Sequence, residues 1–375
     1  MKDVMGVIYT GENDARLGKL TLLRAIAALP VAGRYRVIDF LVSSMVNSGM
    51  KNVGVIMQKN YHSLMDHLGS GKEWDLHGKN DGLYVLPPFL TRENVGVYSG
   101  SLDALRSNNS YLTRSKQEWL VLSGSNIIYN CNLDEMVQQH IESGADITMM
   151  YTRDPSMRRD ELGTYLSIGE DGYVKDIEVD PTHPHFECNG MEVFVMKREL
   201  LRTLVDDGVS HGLHGLTQDL LTRKLSDGTI RIAGYEYTGL CWRLDSVQSY
   251  FKFNMDVLNT EVRRKFFRPE LPVYTKVRDE MPAYYNEGSK VINSLVADGC
   301  VIEGTVENCI LARGVHVAPG AVVRNCIVMQ DGQIHSGAEI ANCILDKQAV
   351  IEGNARLIGP AEYPIVIPKK VTVNR

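Results

Sequence analysis

The sequence predicts an α/β domain with a largely parallel sheet, followed by a parallel β-helix of hexapeptide repeats. Three observations carry this. Short apolar runs alternate with amphipathic helical patterns over the first two-thirds of the chain. A fixed period of 17 residues takes over in the last quarter. With 375 residues, 44% of them hydrophobic, the chain is long enough for about two domains with ample cores.

Taken in order, Ile8 opens a strand-like run that turns at Gly11, followed by Glu12, Asp14, Arg16 and Lys19. A strand running into such a turn is where many α/β proteins hold a nucleotide phosphate. "RVIDFLVSSMVNSGM" and "NLDEMVQQHIESGA" read as amphipathic helices, each stopped near a glycine. "VGVIMQ", "WLVLSG" and "DITMMYT" read as buried strands. Strand, helix, strand in succession implies a parallel sheet covered by helices, with ligands beyond the strand carboxyl ends. "SGSN", Ser123 to Asn126, falls at such an end. The stretch from Ser246 to Phe267 reads as one long closing helix. These elements set a first domain over 1–267, a linker over 268–290, a β-helix over 291–360 and a tail over 361–375.

In the β-helix, Asn-Cys-Ile recurs at Asn308, Asn325 and Asn342. Aliphatics recur every six residues within each repeat, as in Leu311, Val317 and Val323. Two residues before each stands a small or modest side chain, as in Cys309, Val315 and Ala321. The aliphatic column fills a prism and the small column fits its corners. Asn293 to Leu295 reads as an incomplete first coil that caps the stack. Cys309, Cys326 and Cys343 then stack as small apolar fillers. His316 and His335 fall outside the inward columns and read as surface residues, against a role as acyltransferase bases.

Composition narrows the function classes. A net charge of −6 gives no reason to expect nucleic acid or an anionic membrane as partner. No apolar run reaches the roughly 18 residues that span a bilayer, and the N-terminus lacks a signal pattern. Seven cysteines without a C-x-x-C pair argue against disulfides and a thiolate zinc site, so a reducing cytoplasm is expected.

These features together resemble the sugar-nucleotide pyrophosphorylases, and most closely the ADP-glucose pyrophosphorylase family. "RYRVIDFLVSSMVNSGM" is similar to its Arg-x-Ile-Asp-Phe region, and "YSGSLDALRSN" to its Gly-Thr-Ala-Asp-Ala stretch. "HSLMDHLGSGKEWDL" resembles its Gly-x-Gly-Lys-x-Trp-Asp-Leu segment, the most specific of the three. The resemblance implies a Rossmann-like, GT-A-like nucleotidyltransferase domain and a left-handed β-helix. It implies the joining of glucose 1-phosphate to ATP, giving ADP-glucose and pyrophosphate, in bacterial glycogen synthesis. Family members use Mg²⁺ held by aspartates, a glycine-rich loop and lysines.

At these positions the sequence departs from the family. One of three loop glycines remains, Gly11, and two carboxylates enter, Glu12 and Asp14. Like unit charges about 4 Å apart repel by about 4 kcal/mol at an effective dielectric near 20. Ile26 stands where the family has a phosphate or effector lysine. Ser125 and Asn126 stand where Ser-Gly-Asp-His supplies a metal aspartate. Val179 and Asp180 replace the lysine that grips the sugar phosphate. In the register of the following helix, Arg243 takes the second metal aspartate's position; Asp245 is out of phase with it and a weak metal candidate.

The resulting expectation is a non-catalytic subunit like the family's D-type subunits. No catalytic residue, metal or cofactor is retained. The expected partner is a catalytic subunit in a heterotetramer, with a homo-oligomer as the state of the chain alone. One alternative is a competent nucleotidyltransferase drawing a metal to Asp245, Glu178 or Asp103. Another is a sensor without chemistry, in which Gly11, Arg16, Lys19, Arg24, Arg34 and Arg36 contact a ligand or effector anion.

Overall fold

The computed structural model describes residues 3–78, 81–88, 98–159 and 161–374. Contacts group them into two compact units. One comprises 1–12, 40–243 and 269–274, the other 13–39, 244–268 and 275–375.

The first unit is built on a nine-stranded sheet. Its strands are β1 (Val4–Tyr9), β2 (Val53–Ile56), β3 (Leu83–Leu86), β4 (Trp119–Ser123), β5 (Ile147–Thr152), β6 (Thr164–Ile168), β7 (Val174–Val179), β8 (Cys188–Lys197) and β9 (Ile232–Glu236). Order across the sheet is β7-β6-β8-β4-β1-β2-β3, with β5 pairing both β8 and β9. The pairs β1–β2, β1–β4, β2–β3 and β5–β9 are parallel, as the alternating pattern predicts. The ten-residue β8 runs antiparallel to β4, β5 and β6, which makes the sheet mixed.

Five of the six residues of β1 and four of the five of β4 are buried, and this pair lies at the sheet's centre. Helices α1 (Val37–Asn47) and α2 (Asp134–Ser143) appear where the periodicity places helices, and a further helix, α3 (Arg198–Ser210), follows β8. Gly144, left-handed at φ 62°, ends α2, a conformation that costs glycine little.

Two registers set up the end of the central strands. Ile8 of β1 lies opposite Ser123 of β4, so the residues leaving both strands emerge side by side. Val193 of β8 lies opposite Ser123 on the other side, and the Gly124 N–H donates to the Glu192 carbonyl at 2.9 Å. Glu192 sits at φ 54°, inside a register shift of β8 between Gly190 and Phe194. A bulge of this kind re-aims a side chain.

In the second unit the closing helix is two helices, α4 (Val247–Asp256) and α5 (Thr260–Phe266). Asn259 explains the break. It leaves helical geometry, and its side chain accepts from the N–H groups of Glu261 and Val262 as an N-cap. Ser246 caps α4 with a reciprocal Ser249 bond.

Three parallel ladders of six, five and five short strands form the left-handed β-helix. Leu311, Val317, Val323, Val328, Ile334, Ile340, Leu345 and Ile351 fill its interior. The small column, Cys309 through Ala355, is buried beside them. The first ladder begins at Tyr284–Tyr285, inside the stretch expected to be linker, and strands continue at Ile365–Ile367 and Thr372–Val373, inside the expected tail. These flanks lack the hexad spelling but pair in register with the array. Leu295–Val296 belongs to the first coil, which offers a half-buried edge rather than a closed cap. All seven cysteines are buried and unpaired as disulfides.

Candidate functional site

In the first unit, the strand end is occupied by the protein's own carboxylates. Glu12 accepts hydrogen bonds from the backbone N–H of Ser125 and from its hydroxyl, the latter at 2.7 Å. Burial pushes the Glu12 carboxyl up to about 7; the Ser125 bonds oppose this and the Glu192 charge adds to it. Glu192 accepts from the hydroxyls of Thr164 at 2.6 Å and Thr217 at 3.2 Å. The Ser125 donors and the Thr164 and Thr217 hydroxyls are therefore turned onto two internal acids.

Gly11 is used internally too. A side-chain carbon there would overlap the Tyr9 hydroxyl and the Gln58 amide. The Tyr9 phenol, raised by burial and by Glu12 and Asp103, donates to the Gly11 carbonyl at 3.3 Å. The one retained loop glycine makes room for tyrosine rather than for phosphate.

The other acids proposed from sequence have local partners. Asp103 accepts from the Ser99 N–H at 3.1 Å and its hydroxyl at 3.3 Å, at the start of a short helix. Glu178 accepts from the His185 N–H at 3.0 Å and contacts its ring at 2.6 Å; burial opposes these bonds, yet they hold its carboxyl below the usual range. Asp180, at φ 49°, accepts from the Gly163 N–H at 2.7 Å and follows the neutral Val179. Arg243 is buried and donates to the Gly190 carbonyl at 3.0 Å. The Asn126 amide oxygen is buried without a hydrogen bond.

In the second unit, Asp245 is buried at the start of α4, where the Ser246 hydroxyl donates to it at 3.0 Å. Asp14 contributes its carbonyl to the turn over Ala15–Leu20, accepting from the Leu17 N–H at 3.0 Å. Ile26 is buried, as an apolar residue of a short 3₁₀ turn.

The cations of this unit separate into groups. Arg16 and Lys19 are exposed and line a groove with Tyr363. Arg24 is buried and pairs with Asp346 at 2.8 Å. Beside this pair, burial together with Arg36, Arg24 and Arg278 pushes the Lys347 ammonium down to about 8, against the pull of Asp346. Burial, Arg34 and Arg278 also lower the Arg313 guanidinium, while Asp298 and Glu280 oppose the shift. Asp346, Lys347, Arg278 and Arg313 carry no local motif; only the folded β-helix turn brings them together.

Known proteins match this arrangement along its whole length. A nucleotidyl transferase family profile matches residues 5–259, and a GlmU-like C-terminal hexapeptide profile matches residues 281–361. A relative named glycogen biosynthesis protein GlgD, from Bacillus subtilis (strain 168), is 38% identical over 98% of this chain and 96% of its own. The glucose-1-phosphate adenylyltransferase of Thermomicrobium roseum is 36% identical over 80% of this chain and 71% of its own. The chain belongs to the ADP-glucose pyrophosphorylase family. A second GlgD, from Geobacillus stearothermophilus, is 36% identical over 85% of this chain and 82% of its own.

The Mg²⁺ of ADP-glucose pyrophosphorylases does not fit the residues present. A hard cation takes anionic oxygens. The strand end offers Ser125 and Asn126, and the nearby Glu12 carboxylate is committed to Ser125. Among the described residues no group of three or more His, Cys, Asp or Glu is placed to hold a metal.

Proposed function

We propose that this chain is a non-catalytic, regulatory subunit of glucose-1-phosphate adenylyltransferase in glycogen biosynthesis. It works in the cytoplasm, in a heterotetramer with a catalytic subunit whose turnover it raises. The observation that carries the reading is the Glu12–Ser125 contact. A triphosphate brought to this strand end meets two carboxylates and finds the Ser125 donors taken. The lysines that would offset that charge are absent at Ile26 and Val179. Electrostatic stabilisation of the transferring phosphoryl group is the main catalytic term in such chemistry, and its loss costs rate multiplicatively. The names of the GlgD relatives support the glycogen role.

A second reading is compatible with the first and rests on Lys347. An ammonium depressed by burial, and further by neighbouring guanidiniums, is relieved by an anion. The group around Arg24, Arg36 and Lys347 therefore suits an anionic effector that tunes the assembly without chemistry on this chain.

The test is synthesis of ADP-glucose by the purified chain alone, by a catalytic subunit alone, and by their mixture. Turnover in the mixture above that of the catalytic subunit supports the reading. An unchanged rate or effector response in a mixture that does assemble contradicts it.

A further inference from the structure

The β-helix carries asparagine at one corner of four successive coils: Asn293, Asn308, Asn325 and Asn342. All four are left-handed, at φ 42°, 53°, 48° and 51°. Asparagine tolerates this conformation, but the conformation does not by itself select it. Other left-handed corners of the same helix use Gly314, Gly320, Asp331, Gly337, Gln348 and Lys370 as well as Asn354.

The amides form a ladder along the helix. Asn293 donates to the Asn308 amide oxygen at 2.8 Å, Asn325 to that of Asn342 at 3.2 Å, and Asn342 to the Gly359 carbonyl at 2.9 Å. The ladder is interrupted once. Among the described residues no hydrogen bond joins Asn308 to Asn325 side chain to side chain, and both are exposed. An amide donor and an amide acceptor of neighbouring coils are left there to solvent.

This ladder is one wall of a groove of 690 Å³, within the usual size range of small-molecule sites. Phe251 and Met255 stand in the other wall. Among the described residues no lysine or arginine lines it, and Glu261 is its one charged residue. An anionic ligand finds no counter-charge there, and a purely apolar one strands the amides. A sugar ring matches both walls. Its hydroxyls pair with amides as donor and acceptor together, and its C–H face packs on an aromatic ring. Coils repeat at about 4.8 Å, the spacing of neighbouring strands, which is close to the length of one pyranose unit. A row of amides at that repeat suits successive residues of a linear chain.

We propose that this groove binds a linear α-glucan, taken along the asparagine ladder with one sugar packed on Phe251. The choice of an α-linked glucan rests on the glycogen reading above; the groove chemistry itself specifies a neutral oligosaccharide. The site is separate in its residues from the Glu12 strand end and from the Lys347 cations.

The experiment titrates the full-length chain with maltoheptaose, maltose and cellopentaose by calorimetry, alongside migration through glycogen-containing native gels. Maltoheptaose should bind in the micromolar to low-millimolar range and more tightly than maltose, and glycogen should retard the chain. Replacing Asn308 and Asn325 together by glycine preserves the left-handed corners and removes the unpaired amides; it should weaken maltoheptaose binding at least tenfold. Phe251→Ala should do the same. No heat and no retardation, or undiminished binding by the double variant, overturns the site. Equal binding of cellopentaose overturns the α-glucan assignment. The rate of the mixed-subunit assay is read separately. A chain that binds glucan without raising that rate contradicts the subunit role and not the groove, and the reverse result contradicts the groove alone.

Discussion

The Glu12 carboxylate accepts from both the N–H and the hydroxyl of Ser125, joining the residue that leaves β1 to the residue that leaves β4. The contact is local in space and 113 residues apart in sequence. It places a negative side chain on the donors of a strand end that, in a working nucleotidyl transferase, faces a phosphorylated ligand.

This contact has a pH signature. The folded-state Glu12 carboxyl titrates near 7, above the ordinary 4.5. Between those values the folded chain holds a proton that the unfolded chain has released. This group's contribution to stability is therefore full below about pH 4.5, declines as pH rises from there through 7 by up to about 3 kcal/mol, and levels off above. Denaturant melts of the wild type from pH 5 to 8 should show the decline, and Glu12→Gln should flatten it.

Restoring the loop does not restore the enzyme. Replacing Glu12 and Asp14 by glycine removes two charges but leaves Ile26, Ser125 and Val179 as they are. A coupled assay for pyrophosphate release should find no ADP-glucose synthesis above background in that double variant.

The Arg24–Asp346 pair holds a buried cation among other cations. Removing the acid leaves Arg24 uncompensated, and breaking such a pair costs about 3–5 kcal/mol. Asp346→Ala should lower the melting temperature by several degrees. Lys347→Met removes a repelled charge and should raise it at pH 7. Added pyrophosphate should stabilise the wild type and have little effect on Lys347→Met. A thermal-shift series in phosphate and pyrophosphate checks all three.

The thiols should be silent in the folded protein. Cys309, Cys326 and Cys343 sit in the small column, with their thiols donating to Glu307, Arg324 and Ala341 carbonyls at 3.0–3.1 Å. Burial holds the Cys326 thiol well above its usual range. Ellman's reagent should label none of the seven cysteines natively and all seven in denaturant.

Much of this was legible in the residues, for physical reasons. The hexad spacing marks the β-helix because one face of every strand must enter the same narrow prism, so size and period are fixed together. The central strands are legible because both faces are buried and the runs stay apolar. The long closing helix misleads because its pattern continues across Asn259, whose capping bonds break it. The flanking coils at Tyr284 and Thr372 are hidden because end coils are only half covered and need no strict hexad. At the strand end, sequence identifies the missing lysines and the intrusive Glu12. It does not show that Glu12 binds Ser125, or that Glu192 stands behind it on a bulged strand, because both depend on strand register. Lys347 and its guanidinium neighbours are hidden for the same reason: their effect on one another exists only in the folded β-helix.

The most direct measurement is ADP-glucose formation from ATP and glucose 1-phosphate with Mg²⁺, by the purified chain alone and with a catalytic subunit of the family. No synthesis by the chain alone and a higher rate in the mixture than in the catalytic subunit by itself is the predicted result. Steady synthesis by the chain alone, abolished by substituting Ser125 or Asp245, would contradict the account at its centre.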